Sequence, residues 1–130
     1  NKLRLKRINI LVVDDSASTR RITIRFLKLI GYEVIFEAAD GKEGLKKLKS
    51  KDIDLVITDW NMPNMNGLEF VKAIRADEKL KKIPVLMVTT RGLKEDVINA
   101  IKVGANNYIV KPFTQDILDQ KILQVIGLLK

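Results

Sequence analysis

An α/β domain built on one doubly wound parallel sheet is what this sequence predicts, from three observations. Short apolar runs alternate with helical patterns from one end of the chain to the other, the signature of repeated βα units. The run Val85-Leu86-Met87-Val88 is continuously apolar, as a strand covered on both faces must be. Several runs stop at charged residues: Leu11-Val12-Val13 at Asp14-Asp15, Leu55-Val56-Ile57-Thr58 at Asp59, and Tyr108-Ile109-Val110 at Lys111. Charges directly after buried strands are costly in a core. They suit a ligand site, because open parallel sheets bind ligands beyond the carboxyl ends of their strands.

Each element has its own signal. Ile8 to Val13 reads as the first strand. Ser16 or Ser18 can cap a helix reaching about Ile30, with Ile22, Phe26, Leu27 and Ile30 on its inward face and Gly31 as its stop. Val34 to Ala38 reads as a second strand, and Gly41 opens a helix in which Leu45 and Leu48 face inward. Ile53 to Thr58 is the third strand. A loop from Asp59 to Asn66 then leads into a helix carrying Leu68, Val71 and Ile74. Ile83 to Thr89 is the fourth strand, followed by a helix from Leu93 to Val103 that closes at Gly104. Tyr108 to Val110 is the fifth strand. Thr114 can cap a last amphipathic helix bearing Ile117, Leu118, Ile122, Val125, Ile126 and Leu129. Five βα units fill residues 1–130, so a single domain with no linker or repeat is expected.

Composition narrows the chemistry. The chain has neither cysteine nor histidine, which removes disulfides, thiol catalysis, thiolate metal sites, the commonest general base and the commonest zinc ligand. Cysteine-free composition fits a reducing compartment, and a cytoplasmic location is expected. No apolar run reaches the roughly 18–20 residues of a membrane span, so no membrane insertion is expected. The start, Asn1 to Arg7, lacks a secretory pattern. The net charge of +8 could attract nucleic acid or acidic protein surfaces. Its carriers are dispersed, however: Arg20, Arg21, Arg25 and Lys28, then Lys46, Lys47, Lys49 and Lys51, then Lys79, Lys81 and Lys82. They read as solvent faces of helices, and no nucleic-acid partner is expected.

If the first and third strands are neighbours, Asp14, Asp15 and Asp59 converge, and their repulsion must be relieved by protonation or by a cation. Mg²⁺ fits, since it takes one or two carboxylates plus waters and leaves room for phosphate oxygens. Asp15 by itself reads equally well as a solvated loop acid. Asp59 is the best nucleophile: a carboxylate is already ionised at neutral pH, and aspartyl phosphates are an established covalent intermediate. Lys111 can neutralise the transferred phosphoryl group, and Thr89 can offer a hydroxyl to one of its oxygens.

On these residues the chain resembles bacterial response-regulator receiver domains, and among them the single-domain chemotaxis regulators. The resemblance runs from Ile8 to Leu129. It rests on Leu11-Val12-Val13-Asp14-Asp15-Ser16, Asp59-Trp60-Asn61-Met62-Pro63-Asn64-Met65-Asn66-Gly67, Pro84-Val85-Leu86-Met87-Val88-Thr89 and Tyr108-Ile109-Val110-Lys111-Pro112-Phe113. It implies a flavodoxin-like (βα)5 sheet of strand order 2-1-3-4-5. It further implies that Asp59 accepts a phosphoryl group from a histidine kinase, with Mg²⁺ held by Asp14, Asp15, Asp59 and the backbone carbonyl of Asn61. Lys111 would pair with the phosphoryl group, Thr89 would move toward it, Tyr108 would rotate inward behind Thr89, and Lys111-Pro112 would be cis. The switched surface would be the fourth helix, fifth strand and fifth helix, facing a flagellar motor switch protein. A monomer without dedicated substrate turnover and with slow self-dephosphorylation is implied.

Two departures stand out. Thr90 occupies a position where many chemotaxis relatives carry alanine, and Arg91 follows at a position expected to tune phosphoryl lifetime together with Asn61 and Thr90. The basic net charge is also unusual for this branch. Two other readings compete. One is the receiver half of a DNA-binding response regulator. The other is a phosphatase of the haloacid dehalogenase type, which attacks with an aspartate after a strand but places an acid two residues further on, where this chain has Asn61.

Overall fold

The structure, a computed structural model, describes residues 7–127. Five strands, β1 (Asn9–Val13), β2 (Val34–Ala38), β3 (Leu55–Thr58), β4 (Val85–Thr89) and β5 (Asn107–Val110), form one sheet in the order β2-β1-β3-β4-β5. Every pairing is parallel. Five helices alternate with them: α1 (Ala17–Ile30), α2 (Gly41–Ser50), α3 (Gly67–Ala76), α4 (Lys94–Val103) and α5 (Gln115–Val125). The fold class and strand order are those the sequence led us to expect. Leu129, expected inside the last helix, lies outside the described residues.

Alternation along the strands divides the core into two layers. Leu11, Val13, Val56, Val85 and Met87 join Leu48, Phe70, Val71, Ile74 and Ala100 in a layer under α2, α3 and α4. Ile10, Val12, Leu55, Ile57, Leu86, Val88 and Ile109 join Leu27, Ile30, Leu118 and Ile122 in a layer under α1 and α5. The central strands β3 and β4 are buried at every residue, which is why they read as unbroken apolar runs.

Polar side chains fix where the helices begin. Ser16, Asp40, Asn66 and Thr114 cap α1, α2, α3 and α5, and Asn66 forms a reciprocal capping box with Glu69. Leu93 precedes α4 and gives it no side-chain cap. Gly31 and Gly104 end α1 and α4 at φ of 123° and 117°, a conformation that glycine adopts without steric penalty. At Gly104 the carbonyl also accepts from Arg75 Nε and Nη2 at 3.0 and 2.8 Å. The same guanidinium reaches the carbonyls of Lys81 and Ile83 and the Asn106 side chain, tying α3 to the entrances of β4 and β5.

One inward-facing assignment is corrected, and one apolar residue of the last helix lies off its inward stripe. Ile22 is 52% exposed and Ile117 42% exposed. The reason at α1 is local: Phe26 meets Phe113 edge-on with ring centroids 5.8 Å apart, closing the seam between α1 and the approach to α5. One turn earlier, Ile22 lies on a cavity of about 290 Å³ with Thr19, Thr23, Thr90, Lys111, Pro112 and Phe113, and Thr23 takes the buried position. On α5, Leu118 and Ile122 make the inward stripe, and Ile117 falls beside it.

Phe70 is fully buried, and Gly44 makes room for its ring: a Cβ on Gly44 would lie 2.8 Å from Phe70 Cζ. Phe70→Ala is expected to lower stability by about 3–5 kcal/mol, and Ile22→Ala to change it by less than about 0.5 kcal/mol, both read from urea unfolding midpoints.

Candidate functional site

Strand register assembles the charged residues. Val13 is the register partner of Thr58, and Thr89 that of Val110. The residues that follow therefore emerge along one edge, with Asp59 N donating to Val13 O at 2.9 Å and Lys111 N to Thr89 O at 2.8 Å. Asp14, Asp15 and Asp59 bring carboxylate oxygens within 4.8 Å of one another. Lys111 Nζ donates to Asp14 Oδ2 at 2.9 Å and Asp59 Oδ2 at 3.1 Å, across 97 and 52 residues of chain.

Further donors fix each acid. Asp14 Oδ2 accepts from Thr19 Oγ1 at 2.7 Å, and Asp14 Oδ1 from Ser16 N at 2.9 Å. The Asp14 carbonyl accepts from Arg20, which also pairs with Glu37 at 2.8 Å. Asp59 Oδ1 accepts from Trp60 N at 2.6 Å. Asp14, Asp59 and Lys111 have side chains only 5%, 13% and 14% exposed. Burial pulls the Lys111 ammonium down, but its hydrogen bond to Asp14 and the Asp59 charge outweigh that and hold it above its ordinary value. One ammonium cannot neutralise three carboxylates. Asp14, Asp15 and Asp59 would hold a Mg²⁺ ion, which would supply the missing positive charge. The donor set, all hard oxygen, fits that ion.

The remaining expected residues fall around this cluster at different depths. Asn61 is exposed in the loop after Asp59. Thr89 is fully buried, and its hydroxyl accepts from Arg91 N at 3.3 Å. Tyr108 is already buried in this structure and donates to the Arg91 carbonyl. Burial and the nearby Asp96 charge push its phenol up to about 12. Thr90 is exposed on the rim of the cavity next to Lys111. The Lys111-Pro112 peptide is cis.

Three residues that sequence reasoning passed over belong to the site. Thr19 lies one turn into α1 and reaches back to Asp14, a placement that its five-residue spacing from Asp14 could have suggested. Asp96, buried in the first turn of α4, pairs with Arg91 at 3.1 Å. Gly67 lets α3 start against the loop: a Cβ there would lie 2.3 Å from the Asp59 carbonyl oxygen.

A parallel 2-1-3-4-5 sheet with an acid cluster and a lysine at its carboxyl edge is the architecture of a receiver domain. The chain belongs to the response regulator receiver domain family, which it matches over residues 10–123. It is 51% identical to the chemotaxis protein CheY1 of Helicobacter pylori, over 92% of this chain and 98% of that one. Its fold is similar to that of the Vibrio cholerae chemotaxis protein CheY4, with a TM-score of 0.85 and 39% identity over 92% of this chain and 98% of that chain. It is similar also to a Borrelia burgdorferi structure, a CheX–CheY–BeF3–Mg²⁺ complex, at TM-score 0.85 and 32% identity over 91% of this chain and 88% of that chain. Receiver domains of this kind are signalling proteins. Among the described residues, no helix is long and apolar enough to cross a membrane.

Two outcomes test this arrangement. Gly67→Ala is expected to destabilise by about 1–3 kcal/mol through overpacking against the Asp59 carbonyl, and to move the Mg²⁺ response of Trp60 fluorescence to higher concentration. The second concerns pH. Burial, with the Asp119 charge, also pushes Tyr32 up to about 12, so both tyrosines of the chain ionise late. The folded state prefers the neutral phenol, so this stabilisation is complete below pH about 10 and is lost as pH rises from 10 toward 12. The raised Lys111 acts in the same direction. Absorbance at 295 nm should show mostly neutral phenol at pH 11, and denaturant midpoints should fall above pH about 10.

Proposed function

We propose that this chain is a phosphorylation-activated response regulator in which Asp59 is the phosphoacceptor and a histidine kinase the donor. The observation that carries this reading is the convergence of Asp14, Asp15 and Asp59 within 4.8 Å, with Lys111 bonded to two of them. An Asp59 carboxylate oxygen forms the new O–P bond, the P–N bond of the donor phosphohistidine breaks, and the imidazole nitrogen leaves with the electron pair. Asp14, Asp15, Asp59 and the Asn61 carbonyl would hold Mg²⁺, which when bound supplies neutralisation of the phosphoryl oxygens. Lys111 supplies a further positive charge to the cluster. Thr89 is the hydroxyl donor drawn toward the phosphoryl group, Tyr108 follows it, and Asn61, Thr90 and Arg91 set how long the group survives.

The output we propose is chemotaxis, through a flagellar motor switch protein met by α4, β5 and α5. Identity of about half to chemotaxis regulators supports it. So does the surface itself. Of the eight large hydrophobic side chains exposed among the described residues, five (Leu93, Ile98, Ile101, Val110 and Ile117) lie on or beside those three elements. The Borrelia burgdorferi complex joins a CheY of similar fold to CheX, BeF3 and Mg²⁺, a combination that suits the same reading here. We assign the protein to the cytoplasm as a monomeric single-domain switch. A hydrolase of the haloacid dehalogenase type is disfavoured, because Asn61 offers no proton to a leaving group or water.

Acetyl phosphate with Mg²⁺ should add one phosphoryl mass to the protein, and Asp59→Asn should remove that adduct. An adduct of undiminished yield in the variant would sink the assignment.

A further inference from the structure

Arg91 connects to more of the site than any other residue on the β4–α4 loop. Its backbone N–H donates to Thr89 Oγ1 at 3.3 Å, and its carbonyl accepts from Tyr108. Its guanidinium lies 4.4 Å from the Trp60 ring centroid, and the Trp60 N–H is bonded to Asp59 Oδ1 at 2.6 Å. The guanidinium spends one hydrogen bond on Asp96 Oδ1, and among the described residues no other side-chain bond of Arg91 occurs. The contrast with Lys111 is sharp: that ammonium is committed to two carboxylates and only 14% exposed, whereas the Arg91 side chain is 42% exposed.

We propose that Arg91 is a two-position anion clamp of the phosphoryl site, latched on Trp60 and Asp96 in this structure and able to leave them for the oxygens of a phosphoryl group on Asp59. The inference rests on the phosphoacceptor reading above. A planar guanidinium with four free N–H groups is built for phosphate oxygens, and stacking on Trp60 keeps it at the site's edge without spending those donors. Two features make the latch reversible. The ion pair is partly solvated on the arginine side, where such pairs are weak. Asp96, moreover, sits in the first turn of α4, which has no side-chain cap, so the helix N-terminus continues to favour its charge after the guanidinium departs. The site would thus gain a second cation only when an anion arrives, and α4 would lose its tie to Trp60 in the same event.

The test is titration of Mg²⁺-loaded protein with beryllofluoride, a phosphoryl mimic, followed by ¹⁹F NMR, with Mg²⁺ affinity measured separately. Arg91→Met keeps the stem and removes the charge. It should weaken beryllofluoride about tenfold, the value of one charge-assisted bond, while leaving Mg²⁺ binding equal or tighter. Asp96→Asn, which opens the latch, should strengthen beryllofluoride severalfold, and that gain should vanish in the Arg91→Met background. Arg91→Lys should restore part of the loss. An affinity within twofold of wild type for Arg91→Met, or a gain from Asp96→Asn that persists without Arg91, overturns the clamp alone. Failure of the wild-type protein to bind beryllofluoride overturns the clamp and the phosphoacceptor reading together.

Discussion

Everything at this site depends on the bond pair that Lys111 makes to Asp14 and Asp59. Three carboxylates at the edge of an apolar sheet repel one another. The ammonium is the only cation among the described residues bonded to the carboxylates of this cluster. Neither partner is cheaply removed, because each is largely buried and a lone buried charge is strongly unfavourable. The sheet makes the arrangement possible. Parallel register aligns the ends of β1 and β3 and of β4 and β5, so residues distant in sequence arrive together without any local signal between them.

That dependence explains what sequence could and could not disclose. The central strands β3 and β4 were legible because two-sided burial leaves an apolar run, and α1 and α5 because Ser16 and Thr114 mark their starts, whereas the caps Asp40 and Asn66 emerged only with the structure. Asp14, Asp15, Asp59 and Lys111 were legible as charges in places where a core would forbid them. The orientation of α1 was not. Periodicity puts Ile22 and Phe26 on one stripe, but Phe113 covers only the second, and no property of α1 announces where its partner stops. The Arg91–Trp60–Asp96 cluster was equally hidden, since a cation over an indole far earlier in the chain has no periodic signature. Arg75 is a parallel case: it reads as one more surface cation of a helix, yet its guanidinium is consumed by backbone carbonyls at the far ends of β4 and β5.

The two ends of the sheet are built on opposite principles. At the amino edge, Arg75 is held by neutral acceptors, and burial pulls it below its ordinary value without threatening its charge. Each N–H of that guanidinium has an acceptor. At the carboxyl edge the acceptors are anionic and the donors are shared, with Thr89, Tyr108 and Arg91 joined by bonds that can be exchanged for others. Stability and responsiveness are therefore separated along the strand axis, which lets the second vary without endangering the first.

The charge inventory of the acid cluster has one more implication. Three carboxylates and one ammonium leave it doubly negative. A bound divalent ion brings it to neutrality, and an acyl phosphate in place of the Asp59 carboxylate returns a single negative charge. Across a Debye length of about 8 Å at physiological salt, so small a difference fades before it reaches the outer faces of α4 and α5. On the phosphoacceptor reading proposed above, a partner on those faces would respond to shape more than to field, transmitted through the short chain of contacts from Thr89 to Arg91 to Tyr108.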